Sequence, residues 1–112
     1  MTEPDSLEAF LAAQRADYRA SLPRRLAQLE AAWAGDDPQA LERSAHGLAG
    51  SAATFGLAAL GDSARTLEEA LEAWAATGRP WDAEQRSTVE PLLEAVRGQF
   101  RDAGVKQSAS PG

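Results

Sequence analysis

The sequence predicts an all-α fold, an antiparallel up-down four-helix bundle with an additional short N-terminal helix. Alanine and leucine dominate the apolar residues, whereas valine is scarce and isoleucine is absent, a balance that favours helix over sheet. Apolar residues recur at spacings of three and four along successive segments, and short Gly- and Pro-containing connections separate these segments. Short connections place neighbouring helices antiparallel. At 112 residues, the chain is expected to form one domain around one core.

The first segment predicts a short helix over residues 5–20. Asp5 and Glu8 have the spacing of a capping box, in which two polar side chains satisfy free amides at a helix start. The apolar face of this helix consists of Leu7, Phe10 and Leu11.

The second segment predicts a helix that starts at a cap on Ser21 and runs to about Trp33. Pro23 then lies in the first turn, a position that proline tolerates. The alternative is a single helix over both segments, kinked at Pro23.

The stretch GDDP is the clearest boundary in the sequence. Gly35 is expected to end the preceding helix in a left-handed conformation, Asp37 to cap the next helix and Pro38 to occupy its first position. Gly56 interrupts this third helix. Its apolar stripe consists of Leu41, Ala45, Leu48, Ala52 and Phe55.

Two further helices complete the predicted bundle. The fourth ends near the stretch TGRP, and the fifth opens at Asp82 with Gln85, with Pro91 either kinking it or marking its start. Trp81 is expected to cover the end of the bundle. The apolar stripes are Leu60, Ala64, Leu67, Leu71 and Trp74 in the fourth helix and Val89, Leu92, Leu93, Val96 and Phe100 in the fifth. An acidic run is interpreted as a solvated helix face: Glu68, Glu69 and Glu72.

Composition excludes several function classes. The net charge is −6, and the 11 Lys and Arg residues are scattered, so no nucleic-acid partner is expected. The absence of cysteine and the presence of a single histidine exclude the usual zinc ligand sets, so no metal site is expected. No apolar run is long enough for a membrane span and no signal peptide is recognisable, so a cytoplasmic protein without a membrane partner is expected.

The only histidine lies in the stretch RSAHGLAGSAATFG, residues 43–56. At 100° per residue, His46 falls roughly 140° from the centre of its helix's apolar stripe and Gly50 roughly 180° from it. The imidazole is therefore expected on the outer face, with Gln39 and Arg43 below it and Gly50 and Ala53 above it. Each glycine costs about 1 kcal/mol of helix propensity relative to alanine. Small residues on the outer face favour close approach of a partner over packing within the bundle.

A lone exposed imidazole offers a restricted chemistry. One ring nitrogen of neutral imidazole has a free lone pair, so the group can act as a base or a nucleophile. A hydrolase would also need a nucleophile, an orienting group and an oxyanion pocket. Ser44 and Ser51 lack the helical spacing that would bring them to His46, and no phosphate loop or nucleophile elbow is present. The remaining catalytic groups are therefore expected on another protein.

The stretch AHGLAGSAATFGLAALGDSARTLEEAL resembles the histidine phosphotransfer (HPt) domain of bacterial phosphorelays. Matching positions follow the order and spacing of the family pattern: His46, Leu48, Gly50, Ala52, Gly56, Leu60, Leu67 and Glu68. The resemblance implies an HPt-like bundle over residues 1–104, and residues 105–112 are expected to form a flexible C-terminal tail.

The resemblance implies that His46 receives a phosphoryl group from the aspartyl phosphate of a response-regulator receiver domain and passes it to another receiver. Receivers, a hybrid sensor histidine kinase, or both are then the partners, and Mg²⁺ belongs to the receiver, with no cofactor on this chain. Independent kinase or phosphatase activity is not expected. Receiver docking is assigned to Gln39, Gly47, Gly50 and Ala53. The chain is expected to be monomeric and, from its Met1 start and polar tail, free-standing.

One position departs from the family pattern. The family usually has lysine three residues after the histidine, where this chain has Ala49. Arg43 leans away from His46 along the helix, whereas antiparallel counting places Arg65, and secondarily Arg25, level with the imidazole. The family's lysine can offset the negative charge of the phosphoryl group, and these arginines are expected to supply part of that positive charge. The simpler alternative is that they are solvated and pair with acidic neighbours at helical spacing.

Three functions remain open from the sequence. The first is an active phosphotransfer domain. The second is a pseudo-HPt docking module that binds a receiver or kinase without carrying phosphate, which Ala49 favours. The third is a helical adaptor in which the histidine has no role.

Overall fold

The computed structural model describes residues 3–106, with side chains from residue 6 onward. Within this range it contains four α-helices, α1 (Glu3–Ala34), α2 (Pro38–Ser51), α3 (Ala58–Thr77) and α4 (Ala83–Asp102), a 3-10 turn at Ala53–Phe55, and no strand. Contacts join α1 to α2, α2 to α3, α3 to α4 and α4 back to α1. The all-α four-helix bundle is therefore confirmed, but the expected additional N-terminal helix is the first part of α1.

The core lies on the predicted apolar stripes. Every helix contributes leucine, valine or aromatic side chains that are almost completely buried. The largest fully buried side chains are Phe100, Leu22, Leu29, Leu41, Leu48, Leu60, Leu67, Leu71, Leu93, Val89 and Val96. Phe55 is only half-buried and stacks on the ring of Tyr18, with ring centroids 4.7 Å apart.

The prediction of a helix start at Ser21 is wrong. The alternative of a single helix over both segments is confirmed, because α1 runs through Pro23 without a break. The Ser21 hydroxyl donates a hydrogen bond back to the carbonyl of Tyr18 at 2.5 Å instead of capping a helix. A proline inside a helix costs about 3 kcal/mol. Burial of Leu22 and Leu29 on the same helix offsets this cost, since a buried leucine contributes about 1.5–3 kcal/mol.

The first part of α1 lies outside the bundle. The side chains of residues 6–17 are all exposed, and the predicted apolar face is uncovered, with Leu7 59%, Phe10 57% and Leu11 41% exposed. The helix begins at Glu3, before the predicted cap at Asp5, whose side chain lies outside the described residues. Residues 3–17, called the arm below, extend about 22 Å at 1.5 Å per residue.

Two predicted helix starts are confirmed. The Asp37 carboxylate accepts a hydrogen bond from the amide of Ala40 at 3.0 Å, and Pro38 occupies the first turn of α2. The Asp82 carboxylate accepts one from the amide of Gln85 at 2.9 Å at the start of α4. Each aspartate therefore satisfies one of the amides that a helix leaves unpaired at its start.

The predicted end of the first long helix is off by one residue. Asp36, with φ of 51°, adopts the left-handed conformation that we expected for Gly35. Its amide donates to the carbonyl of Trp33 at 3.3 Å, as at many helix C-termini. The Asp36 carboxylate accepts a hydrogen bond from Arg86 Nη1 at 2.5 Å, which ties this turn to α4 and accounts for aspartate at the strained position.

The last helix is continuous through Pro91, which therefore does not mark its start. Gly104, with φ of 88°, lies in the turn that follows α4, and Val105 after it is buried in the core. The packed region thus reaches beyond residue 104, and residues 107–112 of the predicted tail lie outside the described part of the chain. No helix within residues 3–106 combines the length and apolar character needed to cross a bilayer.

Three tryptophans close one end of the bundle. Trp81 meets Trp74 and Trp33 edge-on, with ring centroids 5.2 Å and 6.3 Å away, and all three are half-buried. The guanidinium of Arg86 lies over the Trp33 ring at 3.8 Å. Trp81 therefore covers the bundle end as predicted, at the end opposite the arm.

Candidate functional site on the outer face of α2

His46 projects from α2 into solvent. Its side chain is 75% exposed, whereas Ala45 and Leu48 on the same helix are buried at 0% and 1% exposure. The helical phase predicts this division, because the apolar stripe faces the bundle and His46 lies far from it. The imidazole is therefore open to a partner of macromolecular size.

Glu68 of α3 forms a hydrogen bond with one of the two ring nitrogens of His46. His46 Nδ1 forms a hydrogen bond with Glu68 Oε2, and the Glu68 side chain is only 10% exposed. An ionised carboxylate can only accept, so this contact places the ring proton on Nδ1. Within the described residues no group pairs with Nε2, which leaves the lone pair of Nε2 facing outward.

The interpretation of Glu68 as part of a solvated acidic face is wrong. Glu68 is buried and Leu67 beside it is fully buried, whereas Glu69 and Glu72 are exposed as predicted. The signal that could have identified it is its place in the family pattern beside Leu67. Ala64, four residues before Glu68, and Leu71, three residues after it, are both buried. Position 68 therefore lies at the edge of the buried stripe of α3.

The helices α2 and α3 pack antiparallel in a register that two contacts define. One contact joins His46 to Glu68, and the other joins the carbonyl of Ala49 to Arg65 Nη2 at 3.2 Å. Each step of three residues along α2 is matched by a step of three residues back along α3. Arg65 therefore lies about one helical turn, roughly 5 Å, from the level of the imidazole.

Ala49 contributes to the bundle and not to the open surface. Its methyl group is buried at 6% exposure in the contact with α3. Only its carbonyl reaches Arg65. The family's lysine position therefore supplies no cation here, and the nearest cation on α3 is the guanidinium of Arg65.

The other two predicted cations differ in their placement. Arg25 Nε donates to the Ser21 hydroxyl at 2.8 Å, and its guanidinium lies 4.7 Å from the ring centre of Tyr18. It lines a groove between α1 and α2, on the other side of α2 from Glu68. Arg43 is exposed and borders both this groove and the surface around His46. The structure thus brings Arg43, but not Arg25, to the depression that contains the imidazole.

The surface beside the histidine is bare. A Cβ built on Gly47 or on Gly50 would meet no atom within 4 Å. Gly61 of α3 is different, because it is buried and its added Cβ would lie 3.6 Å from the Cβ of Ala52. Helix packing therefore explains a small residue at 61 but gives no reason for glycine at 47 or 50. Two predicted docking residues, Gln39 and Ala53, are exposed as well.

A shallow depression surrounds the imidazole and is mostly acidic. Its lining residues are Gln39, Glu42, Arg43, His46, Glu68 and Glu72. No group of three or more acidic, histidine or cysteine side chains within residues 3–106 is arranged to hold a metal ion. The described chain therefore offers a nucleophilic nitrogen and a carboxylate that orients it, beside open backbone.

Comparison with known proteins agrees with this arrangement. The model of the Hpt domain family matches residues 15–99, well over half of the 112-residue chain. No curated protein and no solved structure gives a significant match. The matched region includes His46, Glu68 and most of the packed part of the four helices. It leaves out most of the arm and the buried Phe100 near the end of α4. The chain belongs to the Hpt domain family, whose role is histidine phosphotransfer in phosphorelays.

Proposed function

We propose that His46 accepts a phosphoryl group from the aspartyl phosphate of a response-regulator receiver domain and passes it to another receiver. The observation that carries this proposal is the orientation of the ring, with Nδ1 on Glu68 and Nε2 exposed to solvent. An exposed nitrogen with a free lone pair is what attack on phosphorus requires.

The transfer is a displacement at phosphorus. Nε2 attacks, the new N–P bond forms, and the P–O bond to the receiver aspartate breaks, so the aspartate leaves as a carboxylate with the bonding electron pair. The ring then carries a positive charge with its proton still on Nδ1. The Glu68 carboxylate accepts that proton's hydrogen bond and stabilises the charge. The second transfer reverses these steps on another receiver, and Mg²⁺ belongs to the receiver.

The docking face supports the same proposal. Gly47 and Gly50 flank the imidazole on α2 and meet nothing inside the molecule, although each costs about 1 kcal/mol of helix stability relative to alanine. A receiver that must bring an aspartyl phosphate to Nε2 needs close approach to the helix backbone at these positions. Gln39 extends this face about two turns toward the start of α2, and Ala53 extends it into the 3-10 turn that follows α2.

Arg65 is proposed to balance part of the phosphoryl charge. Its guanidinium reaches α2 at the carbonyl of Ala49, one turn from His46. A guanidinium can offer donors to a phosphate while retaining one bond to a carbonyl. Arg43 adds a second positive charge at the edge of the depression.

A second candidate function is a docking module that binds receivers without carrying phosphate. Ala49 favours it, because its buried methyl group replaces the cation expected beside the phosphoryl group. Glu42 and Glu72 favour it too, because both line the depression and like charges destabilise a phosphoryl dianion.

The experiment is phosphoryl transfer from a radiolabelled, phosphorylated receiver to the purified chain. We expect an acid-labile, base-stable label that disappears in His46→Ala and persists in Ser44→Ala and Ser51→Ala. Absence of label in the native chain, with retained binding of the receiver to the His46→Ala variant, would support the docking module instead. Neither label nor binding would contradict both functions.

A further inference from the structure

We infer that Glu42 and Glu72 raise the free energy of a phosphoryl group on His46, so that the group passes on to a receiver instead of accumulating on this chain. This role rests on the proposed phosphorylation of His46 and makes the chain a short-lived donor. Both glutamates line the depression that contains the imidazole. Within residues 3–106 neither glutamate has a hydrogen-bond or ion-pair partner, so contacts in this part of the chain give no reason for a carboxylate at either position.

The two glutamates lie at the same level of the antiparallel helices α2 and α3, which the contact of His46 with Glu68 joins. Glu42 lies four residues before His46, on the same face of α2. Glu72 lies four residues after Glu68 on α3, so the antiparallel register places the two carboxylates level with each other. Four residues correspond to about 6 Å along a helix. The carboxylate pair therefore lies about one turn from the imidazole, on the side away from Arg65.

The direction of the side chains brings Glu72 toward the imidazole and takes Arg65 away from it. A helical side chain leans toward the start of its own helix. On α2 this direction carries His46 toward the level of the two carboxylates. On the antiparallel α3 it carries Glu72 toward His46, whereas it carries Arg65 to the carbonyl of Ala49, to which Arg65 donates at 3.2 Å. The depression is accordingly lined by Glu72 and not by Arg65.

The charges that line the depression do not cancel. They comprise one guanidinium and three carboxylates, those of Arg43 and of Glu42, Glu68 and Glu72. The positive charge of the phosphorylated ring balances Glu68, which holds the Nδ1 proton. Two carboxylates and one guanidinium then face a phosphoryl group of up to about two negative charges. Like charges repel, so the phosphorylated state is raised in energy, and Arg65 offsets only part of this repulsion.

Loss of the phosphoryl group relieves the repulsion. In transfer, the receiver aspartate attacks phosphorus, the N–P bond breaks and the bonding electron pair returns to Nε2. In hydrolysis, water attacks instead, and the products are neutral imidazole and dihydrogen phosphate. The transition state is loose and metaphosphate-like, with the charge of the departing group spread out. The repulsion is therefore smaller in the transition state than in the phosphorylated chain, and the two carboxylates accelerate both reactions.

The lifetime of phosphorylated His46 in the absence of any receiver tests the inference. The full chain is treated with phosphoramidate: Nε2 attacks phosphorus, the P–N bond of the reagent breaks and ammonia leaves with the bonding electron pair. After removal of the reagent at pH 8, phosphorus NMR follows the loss of the label, and His46→Ala verifies its position. Glu72→Gln should lengthen the lifetime about three-fold and Glu42→Gln about two-fold, as expected for exposed charges. The effect of Glu72→Gln is larger because Glu72 leans toward the imidazole.

Glu69→Gln is the matched control. It removes the same charge from an exposed position of α3 that does not line the depression, so its lifetime should equal that of the native chain. Thermal unfolding verifies that each variant keeps its bundle.

Ionic strength separates an effect of charge from an effect of structure. The screening length falls from about 10 Å at 0.1 M salt to about 3 Å at 1 M, and the carboxylates lie about 6 Å along the helix from the imidazole. The double variant, Glu42→Gln with Glu72→Gln, should outlast the native chain about six-fold at 0.1 M salt and less than about two-fold at 1 M.

Equal lifetimes of the native chain and the double variant would overturn the inference and leave the phosphorylation of His46 intact. So would a difference that is the same at 0.1 M and 1 M salt. Label in the double variant but not in the native chain would support a repulsion that prevents accumulation altogether. No label in either chain would contradict the inference together with the nucleophilic role of His46.

Discussion

Removal of the Glu68 carboxylate should slow phosphoryl transfer without weakening the receiver complex. Glu68 touches the imidazole of His46 and not the phosphoryl group, so it acts as a positioning residue. Its carboxylate fixes the ring orientation, keeps the proton on Nδ1 and stabilises the charge that develops on the ring.

The size of the effect follows from the exposure of the two partners. A hydrogen bond to a charged group contributes about 1.5–3 kcal/mol. The lower end applies here, because the imidazole is 75% exposed and water can replace the lost acceptor. Glu68→Ala should therefore slow transfer about ten-fold, the rate equivalent of about 1.4 kcal/mol. Glu68→Gln keeps a neutral acceptor and should cost about three-fold, since neutral hydrogen bonds are about half as strong.

The assay is rapid-quench transfer from a phosphorylated receiver at saturating concentration, together with a receiver titration for affinity. The variants should lose rate at saturation and keep their dissociation constant. Glu69→Ala is the matched control, because Glu69 is the exposed neighbour on the same helix. Thermal unfolding verifies that the bundle is intact. Equal rates for Glu68→Ala and the native chain at saturation would refute the positioning role.

Three further predictions concern Gly50, Arg65 and Glu94. Gly50→Ala should raise the free energy of unfolding by about 1 kcal/mol, or the melting temperature by about 4 °C, and yet slow transfer from the receiver. A variant that is stabilised and transfers at the native rate would contradict the docking role of Gly50. Arg65→Ala should shorten the phosphohistidine lifetime about two- to five-fold, as expected for an exposed charge pair of about 0.5–1 kcal/mol. Arg65→Lys should have an intermediate lifetime. An unchanged rate of label hydrolysis in both variants would contradict a role of Arg65 in stabilising the phosphoryl group. The hydrogen bond from Arg101 lowers the pKa of Glu94 below its ordinary value of 4.5. The ionised Glu94 carboxylate therefore stabilises the fold above pH 4.5, and this stabilisation is lost as pH falls through the lowered pKa. Urea unfolding should therefore show Glu94→Gln as less stable than the native chain at pH 7, and the difference should shrink as pH falls through the lowered pKa. A difference that is the same at pH 7 and at low pH would argue against this contact.

The bundle could be predicted from the sequence because its signals are local. Apolar spacing, the aspartate at 37 followed by Pro38 and the aspartate at 82 act within one helical turn, and the structure confirms them. The same local signals failed at Ser21 and Pro23. There the continuous burial of leucines along α1 outweighs the local preference for a break, and that burial depends on helices distant in sequence, α2 and α4.

In the candidate site, too, the features that one helix determines could be predicted, and those that depend on packing between helices could not. The outward direction of His46 and the bare surface at Gly50 follow from the phase of a single helix. The contact between His46 and Glu68 requires the register of α2 against α3, which the sequence alone does not define. The sequence therefore places Glu68 on a solvated face, although Glu68 also matches the family pattern. The placement of Arg25 has a related explanation. Counting residues back from the loop puts Arg25 near the level of His46, but it does not reveal that Arg25 lies in the groove on the other side of α2.

The end of the first long helix shows a third limit. Glycine is the usual residue in a left-handed turn, and Gly35 stands directly beside Asp36. The choice of Asp36 depends on Arg86 of α4, which binds its carboxylate across the bundle. A contact between residues fifty positions apart in sequence has no local signature.

The nitrogen that carries the phosphoryl group tests the central claim most directly. Phosphorus–nitrogen coupling in the ¹⁵N-labelled, phosphorylated chain distinguishes the two ring nitrogens of His46. Because Nδ1 is held by Glu68, the phosphoryl group should be on Nε2, with the Nδ1 proton retained. A phosphoryl group on Nδ1, or on any residue other than His46, would contradict the account.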